Sequence, residues 1–168
     1  LESKRVIAAG RIAPVKGFEY LIKTWQQVHK THPDWVLDIY GDGDTAYMAT
    51  LQTQIDSLKL SDTIVLRGST PNLNNEMLRS SIYVMSSLTE CFPMVLLEAM
   101  SCGLPVVSFD CPNGPRNIIS HGKDSFLSPY LNTEALAENI IKLIENTKKR
   151  NKLGNQAKIN IQQFTHPS

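Results

Sequence analysis

Short apolar runs alternate along this chain with segments in which apolar residues recur every three or four positions. Residues 5–9, RVIAA, form a continuous run closed by Gly10 and predict a buried strand. Phe18, Leu21, Ile22, Trp25 and Val28 then fall on one helical stripe, predicting a helix over about 17–29. The same alternation continues. Strands are predicted at 35–40, 63–66, 82–85, 105–109 and, weakly, 125–128. The Met48, Leu51, Ile55 and Leu58 stripe marks a helix, and short helices are expected at 76–79, 94–100 and from 115 to 120. Leu136, Ile140, Leu143 and Ile144 line another, and a polar helix is expected from about 148 to 163.

Strands that alternate with helices predict βαβ units and a parallel sheet. Right-handed crossovers give an α/β, Rossmann-like doubly wound sheet of about six strands flanked by helices. In such sheets ligands bind beyond the carboxyl ends of the strands. The loops that matter are therefore 10–17, 41–44, 67–73, 86–93 and 110–114. No repeat or low-complexity segment interrupts them.

Composition narrows the class. The chain has 168 residues, is 42% apolar and carries a net charge of +1. That fits a single domain over 1–168 with a core of its own. The near-neutral balance argues against a nucleic-acid partner. No apolar run reaches the roughly 20 residues of a spanning helix, and the start lacks a signal pattern. Cys91, Cys102 and Cys111 cannot all pair, and neither they nor His29, His32, His121 and His166 show metal-ligand spacing. The expectation is a cytoplasmic protein without a metal. Trp25, on the helical stripe, reads as core.

Two stretches could carry chemistry. In GRIAPVKG, Arg11 and Lys16 stand between Gly10 and Gly17 at the end of the first strand. Two cations beside a helix start make an anion site, since a guanidinium grips phosphate oxygens as a fork and an ammonium acts as a point charge. The alternative is a solvated pair on a turn. In TECFPMVLLEAMSCGLPVVSF, Glu90 lies in the loop after the fourth strand and Glu98 on the next helix. Pro93 suits a first helical turn, leaving the amides of Met94, Val95 and Leu96 free for an anion or a hydroxyl. Glu98, flanked by Leu97 and Ala99, is expected to be costly unless hydrogen-bond donors reach it. Sugar hydroxyls would serve, and so would a neighbouring Lys or Arg. The 148–152 run, KKRNK, reads as a solvated helix face, with contact to an anionic membrane as the lesser alternative.

The ordered set of GR…KG, Glu90, seven residues, Glu98 and CGLPVV, with YGDGD, IVLRGST and DCPNGPRNIISHGKDSFL, resembles the retaining glycosyltransferases of family 4, or group 1. The resemblance runs from Arg5 to about Phe164. It implies the C-terminal, donor-binding half of a two-domain GT-B fold, with the acceptor-binding N-terminal half absent from this chain. The ending FTHPS looks cut before the helix that returns to the first domain. The implied activity is transfer of a hexose, with UDP-hexose the expected donor, to a glycan or lipid-linked acceptor in polysaccharide, lipopolysaccharide or glycan synthesis. The implied setting is cytoplasmic, with peripheral contact at the inner face of the membrane for the full protein. No cofactor is implied, the nucleotide-sugar being a substrate.

By the same resemblance Arg11 and Lys16 would hold the donor diphosphate, Glu90 the sugar, and Glu98 the ribose hydroxyls. Gly10, which lets the backbone turn sharply after the strand, would also belong to the substrate site, and Gly17 lets something approach the helix start closely. Leu66, Arg67 and Gly68 would line the base site, Arg67 also stacking on it, and Phe92, Pro93, Met94 and Val95 would wall the sugar and phosphate. Cys91, Pro93 and Asn117 depart from common family choices. Rival readings are a nucleotide-sugar 2-epimerase-like GT-B domain, a non-catalytic nucleotide-binding module and a dinucleotide-dependent oxidoreductase. The last lacks its glycine fingerprint, since Gly41-Asp42-Gly43 is not G-x-G-x-x-G.

Overall fold

The computed structural model describes residues 3–90, 94–112, 115, 118 and 122–165, with side chains as far as 162. Twelve regular elements follow one another among them: β1 (Arg5–Ala9), α1 (Phe18–Thr31), β2 (Val36–Tyr40), α2 (Thr45–Ser57), β3 (Ile64–Gly68), α3 (Leu73–Leu78), β4 (Ile82–Met85), α4 (Met94–Ser101), β5 (Val106–Phe109), β6 (Ser125–Ser128), α5 (Thr133–Ile144) and α6 (Thr147–Thr165). A 3-10 turn, Pro14–Lys16, precedes α1.

The six strands form one parallel sheet in the order β3-β2-β1-β4-β5-β6. The chain builds outward from β1 to β3, then returns to lay β4 on the other side of β1. The strand order therefore reverses between β1 and β4, and this reversal opens a crevice at the carboxyl edge.

Alternation along each strand divides the core in two. Val6, Ala8, Leu37, Ile39, Ile82, Val84, Val107 and Phe109 pack against apolar side chains of α1, α2 and α5. Ile7, Tyr40, Tyr83, Met85 and Val106 pack against those of α3, α4 and α6. Every residue of β4 and β5 is buried, as expected of strands covered on both faces. Trp25 is fully buried on the first face.

The boundaries show what local chemistry adds to periodicity. α2 starts three residues before the apolar stripe because Asp44 caps it, accepting from Tyr47 N at 3.0 Å. Asn132 caps α5 in the same way through Ala135 N. β3 runs on to Gly68, and α3 begins at Leu73 rather than Glu76. Of the helix expected over 115–120, only Pro115 and Ile118 are described, joined by a 2.9 Å bond from Ile118 N to Pro115 O; the other positions lie outside the described residues. No helix among the described residues is long and apolar enough to cross a membrane.

The KKRNK run is not a solvated face throughout. Arg150 is only 4% exposed. Its Nη1 donates to Leu143 O and Ile144 O, each at 2.7 Å, adding a charged donor to carbonyls at the end of α5. Its guanidinium also lies 5.4 Å from the Trp35 ring centroid. Lys148 and Lys152 remain exposed. Replacing Arg150 by Met is expected to cost about 2–4 kcal/mol through the lost charged hydrogen bonds of a buried guanidinium. The Lys148→Met change is expected to stay within about 0.5 kcal/mol. Urea unfolding of the two variants checks the contrast.

Candidate functional site

The crevice is built by loops whose backbones touch. After β1, Gly10 N donates to Tyr40 O at 3.0 Å and Ile12 N to Asp42 O at 2.9 Å, and Ile12 bridges to Gly43. After β2, Gly41 N donates to Gly68 O at 2.9 Å. Gly41 has φ 146°, and a Cβ there would stand 1.9 Å from Gly10 O. Across the crevice Gly17, with φ 68°, approaches the loop after β4 so closely that a Cβ would stand 1.9 Å from Ser86 O. No other residue type fits either place. Ser86 Oγ donates to Lys16 O at 3.0 Å and Leu88 N to Val15 O at 2.8 Å, so the two sides are stitched together. Tyr130, in the loop after β6, donates its hydroxyl to Leu88 O at 2.7 Å.

This stitching brings Lys16 and Glu90 together, 74 residues apart in sequence. Lys16 Nζ donates to Glu90 Oε2 at 2.8 Å, and Ser87 Oγ donates to the same oxygen at 2.7 Å. The Lys16 side chain is 25% exposed and that of Glu90 11%. The stem of Lys16 passes over Gly10, its Cδ 3.5 Å from where a Cβ would be. Arg11 is exposed and has no hydrogen-bond or ion-pair partner among the described residues. Among those residues the crevice thus presents one free cation and one cation held by a carboxylate. Burial, with the Glu90 charge second, pushes the nearby Cys111 thiol up to about 11, so it stays protonated at neutral pH.

Two cavities flank this pair on the β2–β3 side. One of about 190 Å³ lies between Gly10, Gly41, Ser69 and Thr70, floored by Tyr40. The other, of about 400 Å³, runs along Thr70–Asn75 to Glu98. Glu98 is exposed, which removes the burial cost expected from its apolar neighbours. α4 turns Leu96, Leu97 and Met100 to the core and leaves Glu98 on its open side. No ion-pair partner for Glu98 is found among the described residues. Met94 opens α4 at 60% exposure, while Val95 packs partly against the core. Phe92 and Pro93, like Cys91, lie outside the described residues.

The expected base-site residues are differently placed. Leu66 packs against the core under α1 and α2. Ile39 pairs with Leu66 but Tyr40 with Gly68, so Arg67 is the extra residue of a bulge. Its Nε donates to Asp38 Oδ1 at 2.9 Å, which commits one edge of the guanidinium to this salt bridge. Neither side chain lines the two cavities; Ser69, Thr70 and Leu73 do. Asp38 itself is fully buried and also accepts from Arg5 Nε at 2.8 Å and Arg5 Nη2 at 2.5 Å. Tyr40 donates its hydroxyl to Glu76 Oε2 at 2.8 Å, and Arg5 Nη2 reaches the same oxygen at 3.4 Å. The Tyr40 hydrogen bond, aided by Arg5, holds Glu76 below the usual carboxylate range.

Comparison with known proteins identifies the architecture. Residues 1–160 match the family described as glycosyl transferases group 1. The chain belongs to that family. A glycosyltransferase of Haemophilus influenzae without an assigned reaction is 35% identical over 87% of this chain and 41% of its own length. Among solved structures, a point mutant of S. aureus TarM, in complex with fondaparinux, alpha-GlcNAc-glycerol and UDP, is 27% identical. It superposes with a TM-score of 0.92 over 95% of this chain and 32% of its own. HepE of Anabaena, in complex with UDP and glucose, is also 27% identical. Its TM-score is 0.89 over 96% of this chain and 44% of its own. The chain therefore spans less than half the length of each of these relatives. The six-stranded sheet is the Rossmann-like unit of GT-B glycosyltransferase structures.

Sequence reasoning did not single out Ser87, Asp38 or Tyr130. Asp38 carried a signal: an acid in the middle of VLDIY sits where a doubly covered strand admits a charge only if it is paired. Ser87 and Tyr130 gave none, because each acts through a fold contact. The lowered Glu76 value fixes a sign. Its contribution to stability is present above its unfolded value of 4.5 and is lost as pH falls through the lower folded value. Urea midpoints of the wild type and Glu76→Gln should therefore differ at pH 7 and converge as pH falls through the lowered folded value.

Proposed function

We propose that this chain is the donor-binding half of a two-domain retaining glycosyltransferase that transfers a hexose from a UDP-sugar to a glycan or lipid-linked acceptor. The observation that carries the reading is the crevice between β1 and β4, where exposed Arg11 stands beside the Lys16–Glu90 pair. Family membership supports it, as do the relatives TarM and HepE, whose structures hold UDP. The share of those chains covered, 32% and 44%, supports a half rather than a whole. A lipid-linked acceptor would bring the full protein to a membrane's cytoplasmic face.

The chemistry follows from charge. When the bond from the anomeric carbon to the diphosphate breaks, negative charge grows on the leaving oxygens. Fixed cations that meet it there lower the barrier, because they are already oriented and need no reorganisation. In this reading Arg11 and Lys16, both on the loop after β1, meet that charge and supply the neutralisation within the protein. Glu90 faces the position of the sugar, where its carboxylate accepts from hydroxyls and stabilises positive charge at the ring. Glu98, at the open end of the larger cavity, accepts from the ribose hydroxyls. Ser69 and Thr70 edge the smaller cavity, and in this reading their polar groups recognise a base edge. Gly10 leaves room for the stem of Lys16 to cross the backbone on its way to the phosphate.

The reading is tested by calorimetric titration of the full-length protein with UDP and GDP. UDP is expected to bind, and Lys16→Ala to lose about 1.5–3 kcal/mol of that binding, the scale of a charge-assisted hydrogen bond. Unchanged affinity in the variant would overturn the diphosphate role. A preference for GDP would keep the transfer and change the sugar class.

A further inference from the structure

The hydrogen bond between Lys16 and Glu90 has a consequence for selectivity. Lys16 Nζ can serve the diphosphate fully only by giving up a 2.8 Å contact with Glu90 Oε2. Among the described residues Glu90 then keeps one donor, Ser87 Oγ at 2.7 Å, on a carboxylate that is only 11% exposed. A carboxylate that loses a cation while largely excluded from water must find new donors or bear a desolvation cost. A nucleoside diphosphate without a sugar brings no donor to that place. A nucleoside diphosphate that carries a sugar brings hydroxyls.

Resting on the reading of the crevice as a UDP-sugar site, we infer that Glu90 is a specificity-determining residue that competes with the diphosphate for Lys16 and so disfavours the bare nucleotide relative to the sugar-bearing donor. The by-product of transfer is the bare nucleotide. Return of Lys16 to Glu90 therefore assists its release. Ser87 is the positioning residue in this exchange. It holds Glu90 in place in both states, because its hydroxyl is buried and its bond to Oε2 does not depend on Lys16. Partial exposure of both members makes the exchange feasible, since a fully buried pair separates only at a large cost.

A double-mutant cycle on UDP binding tests this with the full-length protein. Glu90→Gln keeps the side chain's size and removes its hold on Lys16. The inference requires that Glu90→Gln bind UDP more tightly than wild type, on the order of fivefold, the scale of a partly exposed ion pair. It also requires that the same change have no such effect when Lys16 is already Met. Ligand-detected NMR reads the millimolar Kd values expected of the Lys16→Met background. Glu90→Ala repeats the cycle with a second truncation, and near-ultraviolet circular dichroism shows each variant folded. A gain of equal size in both backgrounds means that Glu90 merely repels the diphosphate through space, and overturns the inference. Weaker UDP binding in Glu90→Gln overturns it as well. UDP binding that is absent in wild type, or indifferent to Lys16→Met, refutes the reading of the crevice itself and the inference with it. Rescue is the final arm. Ser87→Ala should lower kcat for transfer and Ser87→Thr restore it. Loss of kcat that Thr does not restore assigns Ser87 a packing role instead.

Discussion

The constraint on which the rest depends is the contact between backbones at the carboxyl edge of the sheet. Gly41 lets the loop after β2 lie against Gly10 O, and Gly17 lets the start of α1 lie against Ser86 O. A methyl group at either place would meet a carbonyl oxygen at 1.9 Å, far inside van der Waals contact. These approaches set how near the loops from β1 and β4 come to each other, and therefore whether Lys16 can reach Glu90. The site's precision thus comes from main chain on rigid strand ends, with the side chains inheriting it. That is how a charged pair separated by 74 residues is held without help from a longer lever.

Two of the acid–base clusters among the described residues differ in burial, and burial gives them different work. Asp38 has no exposure, and Arg5 and Arg67 together occupy both its oxygens. A carboxylate in that position cannot change partners without standing bare in the interior, so the cluster acts as a fixed tie among β1, β2 and β3. Lys16 and Glu90 are each in touch with solvent. Their pairing is worth far less than the sum of two buried desolvations, and partner exchange lies within reach of a ligand. One cluster fixes geometry, and the other is left able to respond.

Most of the sheet was legible because a parallel strand covered on both faces has a plain signature, a short apolar run ending in a turn. The first, fourth and sixth strands fall where their runs do, at Arg5–Ala9, Ile82–Met85 and Ser125–Ser128. Periodicity misplaced helix starts because capping, not apolar spacing, sets them: Asp44 begins α2 before any apolar stripe appears. It also misjudged three charges. Glu98 looks buried when read between Leu97 and Ala99, yet neighbours in sequence lie on different sides of a helix, and its own side is open. Arg150 looks solvated within KKRNK, yet the end of α5 offers it carbonyls that no sequence pattern announces. Arg67 reads as the first residue of a loop after the strand, and nothing local reveals the bulge that turns it to Asp38.

That bulge shows how a structural tie shapes the crevice. With Ile39 opposite Leu66, a regular ladder would place Arg67 opposite Tyr40. The extra residue instead brings Gly68 to Tyr40 and lets Gly41 N bond to Gly68 O. Arg67 turns back to Asp38, and this charge-assisted bond offsets the broken pairing. The chain leaving β3 then enters the crevice as Ser69 and Thr70, small residues that share a cavity wall with Gly10 and Gly41. A long cationic side chain in that wall would fill the space. The buried carboxylate in the middle of β2 thus acts at a distance on the crevice: by holding Arg67 away, it leaves the smaller cavity edged by Gly10, Gly41, Ser69 and Thr70.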